Sequence, residues 1–363
     1  MEHITFHPVQ KRPSAAPTRS ASSFAGQLPM PEDIVGTIIA GRYRLEEIIG
    51  SGGFGTVYRT TDVVSGESVA LKLQFAGRDT TDRFRKEADI VRALTYNGCK
   101  SSVGYLDHGE HEGRVFVVTD MLRGMSLSTA ISQSRIKTVA QAMSVLMQVC
   151  DAFAELHAFG VIHRDVKPDN IFLISRSDGK LEVKTLDFSV SELSYDIQPD
   201  TSSSFIGTPV FIAPELLFGK SVSEQTDIYS MGVLMYEMFT GTRPYQGEPG
   251  VILAKAIDPD PPRSPRSINP NIPERIEAII QVAMAKDPEN RFASFDALLS
   301  EMAGCLKALN EAVSVLPLFQ PPHAKTVGPD RLSHTGLAIL PIGDASDECG
   351  DSGLYPQPIR MDP

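Results

Sequence analysis

His163-Arg164-Asp165-Val166-Lys167-Pro168-Asp169-Asn170 is the stretch on which the reading of this chain turns. It packs together a carboxylate that can accept a proton, an ammonium group that can neutralise an anion, and an amide whose oxygen suits a hard cation. A charged string of this length can arise by chance. Here it is accompanied, in order, by Gly50-Ser51-Gly52-Gly53-Phe54-Gly55-Thr56-Val57 and Val69-Ala70-Leu71-Lys72 upstream, and by Asp187-Phe188 and Ala213-Pro214-Glu215 downstream. The glycine run alone is ambiguous, because GxGxxG also opens the helix of dinucleotide-binding folds. Thr56-Val57-Tyr58 instead continues as a strand, which separates the two cases. Glycine at such places lets backbone N–H groups approach phosphates that a Cβ would obstruct.

Composition sets outer bounds. With 363 residues the chain can hold one large two-lobed domain or two small ones, and 42% hydrophobic residues suffice for a core. The formal net charge of -11 argues against a nucleic-acid footprint, which needs clustered Lys and Arg, and fits a solvated acidic surface. Cys99, Cys150, Cys305 and Cys349 lack CxxC spacing, so neither a zinc site nor a disulfide framework is indicated, and a reducing cytosol suits them. No long apolar run follows a positive segment at the start, which argues against a secretory signal. The apolar stretches 228–239 and 313–319 fall well short of the roughly 20 residues that cross a bilayer. A soluble, cytoplasmic protein without a membrane span is expected.

Residues 1–41 are rich in Pro, Ser and Ala and are expected to form a flexible tail. From 43 to 74, alternating and β-branched residues broken by Gly predict three antiparallel strands with the glycine loop between the first two. Phe84, Ala88, Val91 and Leu94 recur at helical spacing and place Glu87 within one helix. After a strand at 115–119, Ala142, Val145, Leu146, Val149, Phe153 and Leu156 predict an amphipathic helix stopped by Gly160. A β pair follows at 171–175 and 181–186, joined through Asp178-Gly179. The stretch 228–239 is apolar nearly all round and predicts a buried helix ended by Gly241. Beyond Cys305 the text is Pro-punctuated, and 306–363 is expected to be irregular.

Taken together, the motifs resemble the protein kinase family, and most closely the bacterial (Hanks-type) serine/threonine kinases, over residues 42–305. The resemblance implies an α+β, two-lobed protein kinase-like fold: a small β-rich lobe at about 42–123 and a larger helical lobe at about 124–305. It implies transfer of the γ-phosphoryl group of ATP to Ser or Thr hydroxyls of proteins, with Mg²⁺ as the metal and Mn²⁺ as the alternative. By the same resemblance Asp165 is the catalytic base, Lys167 neutralises the migrating group, Lys72 holds the α and β phosphates and Glu87 fixes Lys72. Asn170 and Asp187 are the implied metal ligands. Ile49, Gly50, Gly52, Gly55, Val57, Ala70 and Phe172 surround the nucleotide, with backbone bonds near Asp120 and Leu122 and Thr119 as gatekeeper. HRDxKPxN and Thr208 in Gly207-Thr208-Pro209 match the serine/threonine branch.

Glu215 and Arg291 resemble the family's buried ion pair, and Asp227 the residue that caps the catalytic-loop backbone. Autophosphorylation is expected at Thr201, Ser202, Ser203 or Ser204, with a transient dimer as one arrangement for it. Two departures stand out. Asp187-Phe188 is followed by Ser189 where the family has glycine, which predicts restricted backbone switching. The segment 97–104 also differs from the usual motif after the regulatory helix, and its residues offer no reason for it. A nucleotide-binding scaffold with little catalysis is the alternative. A small-molecule kinase fits less well, since the segment 207–215 resembles a peptide shelf.

Overall fold

The computed structural model describes residues 31–52, 54–75, 81–176, 181–188, 209–308 and 318. In the amino-terminal lobe, β1 (Ile38–Ile39), β2 (Tyr43–Ser51), β3 (Gly55–Asp62), β4 (Ser68–Gln74), β5 (Tyr105–His111) and β6 (Arg114–Asp120) form one antiparallel sheet in the order β1-β2-β3-β4-β6-β5. Successive side chains on a strand point to opposite faces, and this alternation sorts the lobe. Leu45, Tyr58, Val69, Leu71, Leu73, Phe116 and Val118 bury together on one face. Val57 pairs with Lys72 and Lys72 with Val117, while Ala70 pairs with Thr119, so these five side chains share the other face. The helix α1 (Thr81–Tyr96) covers part of that face with Phe84, Ala88, Val91 and Leu94, and so brings Glu87 toward Lys72.

The larger lobe begins with β7 (Met125–Ser126), α2 (Leu127–Ser132) and α3 (Val139–Ala158), and continues through β8 (Ile171–Ser175) and β9 (Leu181–Thr185). The strands β7, β8 and β9 form a second antiparallel sheet, with Ser175 opposite Leu181. The helices α4 (Pro214–Leu217), α5 (Glu224–Thr240), α6 (Pro249–Ile257), α7 (Pro265–Ile268), α8 (Glu274–Ala283) and α9 (Phe295–Ala308) complete it. As its apolar run predicts, α5 is buried along most of its length. It starts at a capping box between Ser223 and Thr226 and stops at Gly241, whose φ of 67° is the left-handed turn a helix end favours. Among the described residues, α3 is the one helix long and apolar enough to cross a bilayer. Eleven of its 20 residues are buried, including Leu146, Val149 and Phe153, so in this fold it is core.

The structured region begins earlier than the boundary expected at residue 42. Ile38 and Ile39 pair with Arg44 and Tyr43, and Ile39 is buried in the outer core of the sheet. At the other end α9 runs to Ala308, and Leu318 packs against the large core and donates its N–H to Lys137 O at 2.9 Å. Residues 1–30, the Asp178-Gly179 turn and 319–363 lie outside the described residues.

One buried ion pair locks α4 to the end of the helical lobe. Arg291 donates through Nη1 and Nη2 to Glu215 Oε1 and Oε2, both at 2.8 Å. Its other three N–H groups go to the carbonyls of Ala285, Gln225 and Lys286. All five guanidinium donors are thus used, which offsets the cost of taking the charges out of water. Arg291→Ala is expected to destabilise the domain by about 3–5 kcal/mol, because a buried carboxylate and three carbonyls lose their donors. Arg291→Lys is expected to recover less than half of that, since an ammonium brings three donors to five acceptors. Urea unfolding of the two variants beside the wild type measures both.

Candidate active site

Three elements converge on one ammonium group. Lys72 of β4 lies at 2.7 and 3.0 Å from the two carboxylate oxygens of Glu87 on α1, and at 2.7 Å from Asp187 Oδ1, two residues past β9. All three side chains are largely shielded, at 13%, 12% and 18% exposure, so solvent screens the contacts only weakly. Burial alone would favour neutral Lys72, but Asp187 and Glu87 outweigh it and hold the amine above its ordinary range. Burial raises the Glu87 carboxyl, and although Lys72 opposes this, the adjacent Asp187 charge keeps it above its usual value. Two carboxylates against one ammonium leave an excess of negative charge that a cation would satisfy.

A second cluster forms at the 163–170 run. Asp165 Oδ2 accepts from Lys167 Nζ at 2.6 Å and from Asn170 Nδ2 at 2.8 Å, and Asn170 Nδ2 also reaches Asp165 O at 2.9 Å. Among the described residues no donor reaches Asp165 Oδ1. Burial would lower Lys167, but the attraction and hydrogen bond of Asp165 prevail, aided by Asp187 and Asp169, and its pKa is raised. The loop is held from beneath by Asp227 of α5, which is fully buried. Its Oδ1 accepts from the Arg164 N–H and its Oδ2 from the His163 N–H, each at 2.8 Å, with His157 Nε2 at 2.9 Å from Oδ2. His163 Nε2 lies 2.9 Å from Leu186 O, and its ring contacts Phe153 and Phe188, which ties the loop to the chain carrying Asp187. Arg164 and Asp187 adopt φ values of 67° and 52°, a sparsely populated region for non-glycine residues that concentrates at functional sites.

Asn170 and Asp187 offer oxygens that suit a divalent ion. Asn170 spends its N–H₂ on Asp165, so its Oδ1 receives no hydrogen bond among the described residues, and neither does Asp187 Oδ2. Among the described residues no group of three His, Cys, Asp or Glu could hold a metal alone. One amide and one carboxylate oxygen are the sparse protein set that Mg²⁺ commonly supplements with phosphate oxygens and water.

The residues expected around a nucleotide occupy the cleft face of the sheet and the floor below it. Val57 and Ala70 are buried on the cleft face, Phe172 lies buried on β8, and Ile49 is half-buried. Thr119 lines a small cavity with Lys72, Glu87, Val91, Val103, Val117 and Asp187. Its buried Oγ1 has no partner among the described residues. Asp120 already gives its N–H to Gly104 O at 2.9 Å, so that donor is not available to a ligand. The glycines divide into two kinds. A Cβ on Gly55 would stand 2.4 Å from Leu73 O and 2.8 Å from the Phe84 ring, so packing alone demands glycine there. A Cβ on Gly52 would meet only Gly55 O at 4.0 Å, leaving open space above the loop. Ser189, Gly207, Thr208 and the 201–204 cluster lie outside the described residues.

The bonds of Glu155 and of the 97–104 loop were not anticipated from sequence. Glu155 lies on α3 one turn after Asp151, and an acidic residue on a helix gives no signal of its partner.

Residues 43–302 match the protein kinase domain. Serine/threonine-protein kinase Pkn1 of Myxococcus xanthus is 36% identical over 264 residues, 71% of this chain and 37% of that protein. Serine/threonine-protein kinase PknA of Mycobacterium tuberculosis is 33% identical over 271 residues, 72% of this chain and 60% of that protein. Serine/threonine-protein kinase PrkC of Bacillus subtilis is 30% identical over 285 residues, 77% of this chain and 43% of that protein. The matches therefore span between 37% and 60% of the length of these curated relatives. The ordered motifs, the two-lobed fold, the gathered Lys72, Glu87 and Asp187, and the match over 43–302 lead to one conclusion: the chain belongs to the protein kinase domain family.

Proposed function

We propose that this chain is an ATP-dependent serine/threonine protein kinase, transferring the γ-phosphoryl group to protein hydroxyls. The observation that carries the reading is the arrangement of Asp165. Its Oδ2 is engaged by Lys167 and Asn170, while among the described residues Oδ1 has no donor and would accept or orient the proton of an incoming hydroxyl. As that proton moves to Asp165, the hydroxyl oxygen bonds to the γ-phosphorus. The bond to the β-phosphate oxygen breaks, and ADP departs with the electron pair. Lys167 uses one N–H on Asp165 and has others for the transferred oxygens. Lys72, fixed by Glu87, meets the α and β phosphates. A divalent ion at Asn170 and Asp187, Mg²⁺ or alternatively Mn²⁺, would neutralise charge on the phosphate oxygens.

The names of the relatives and the Lys167 position favour Ser or Thr as acceptor. Thr208 is assigned to the acceptor side of the site on its motif alone. Signal transduction in the cytoplasm, without nucleic acid, suits the acidic composition and the scattered cysteines.

Asp165→Asn is expected to lower transfer of labelled phosphate to a generic basic protein by about 10²- to 10⁴-fold while the protein stays folded. Transfer at the wild-type rate would contradict the assignment. Incubation with MgATP is expected to place phosphate within residues 201–204 and to raise activity, as read by phosphosite mapping and rate measurement on the same sample. A fully active protein with an unmodified segment would speak against that step. Ser189→Gly is expected to free the backbone beside Asp187 and so to alter activity, activation or inhibitor preference, and a variant unchanged in all three would reject a restricted switch.

A further inference from the structure

The segment 97–104, whose departure from the family pattern has no explanation in sequence, is bonded to three separate elements. From α3, the Glu155 carboxylate accepts the Lys100 N–H at 3.0 Å, the Ser101 N–H at 2.8 Å and the Ser101 hydroxyl. From β9, Thr185 donates its N–H at 2.7 Å and its Oγ1 at 2.9 Å to Ser101 O, and Thr185 O accepts from the Val103 N–H at 3.2 Å. The neighbouring Lys184 Nζ donates to Lys100 O. From β6, the Asp120 N–H bonds Gly104 O, and the Asp120 carboxylate sits where a Cβ on Gly104 would lie 2.1 Å from Oδ2. A side chain at Gly104 would displace the Asp120 carboxylate from this place.

The places these bonds occupy along the chain give them meaning. The segment leaves the end of α1, which carries Glu87. Thr185 stands two residues before Asp187, the other carboxylate on Lys72. One junction thus supports both partners of Lys72, and Glu155 is its attachment to the helix α3. A carboxylate taking three donors forms strong, geometrically specific bonds. Burial would raise Glu155, but these donors hold it below the ordinary carboxylate range and keep it charged. Without it, two N–H groups and a hydroxyl lose their acceptor, and the junction stays tied mainly to β9.

We propose that Glu155 is a positioning residue for phosphoryl transfer, which sets the relative placement of Glu87 and Asp187 by clamping the 100–101 backbone to α3. The inference rests on the kinase reading above. It differs from a role in stability, because its effect falls on the placement of reacting groups.

Two variants of the full chain test it, Glu155→Ala and Thr185→Val. The second is isosteric and removes only the hydroxyl bond to Ser101 O; should Glu155→Ala fail to fold, Glu155→Gln, which keeps the side chain's size but only one acceptor oxygen, takes its place. The expected result for Glu155→Ala is a kcat lowered about 10- to 100-fold per folded enzyme, the scale of a misplacement near 1 Å. KM for ATP is expected to change little, and the magnesium concentration for half-maximal rate to rise as Asp187 shifts. Thr185→Val is expected to move the same two quantities in the same direction by a smaller factor. The inference is overturned if kcat and magnesium requirement stay at wild-type values in the folded variants, with only the melting temperature altered. A wild type that transfers no phosphate would overturn the kinase reading and this inference with it. An active wild type with unaltered variants overturns this inference alone.

Discussion

Lys72 faces two carboxylates with one positive charge, and the rest of the site is organised around that imbalance. In water such a grouping would be loose. Here Lys72, Glu87 and Asp187 are largely shielded, so each contact at 2.7 Å is screened little, and withdrawing Lys72 would leave two carboxylates with no counterpart. The three groups come from β4, from α1 and from the chain beyond β9, so the contact forms only when all three are in register. The cluster is therefore a test of lobe geometry.

The larger lobe serves this geometry by fixing backbone. Asp227 spends a fully buried carboxylate on the N–H groups of His163 and Arg164, which leaves the side chains of Asp165, Lys167 and Asn170 to form their own cluster above it. Glu215 and Arg291 do comparable work at α4, where the donors and acceptors balance. The 97–104 junction completes the set from the side of the sheet. In each case a charge is placed where its hydrogen bonds are filled, while among the described residues Asp165 Oδ1, Asn170 Oδ1 and Asp187 Oδ2 keep unfilled capacity.

Much of this was legible in the sequence because its signals are local. Strand alternation places Lys72 on the same face as Ala70, and helical spacing puts Glu87 on α1 and buries α5. The pairing of Lys72 with Glu87 and the capping role of Asp227 followed from family motifs, and the geometry agrees. What sequence did not carry is long-range backbone pairing. Glu155 and Ser101 are 54 positions apart and Thr185 and Ser101 are 84 apart, and both join through backbone groups that any residue possesses. The start of order before residue 42 was missed for a similar reason. A two-residue strand at Ile38 and Ile39 is too short to show alternation, and its pairing with β2 decides it.

On the proposed function, a divalent ion carried in with the nucleotide matches the excess negative charge around Lys72 and Asp187. Calorimetric titration with the β,γ-imido analogue of ATP, with and without magnesium, tests it on the wild type and on Asp187→Asn. Magnesium is expected to tighten binding to the wild type, and this gain to be largely lost in Asp187→Asn, with metal-free affinity no weaker than wild type. An equal magnesium effect in both proteins would contradict it.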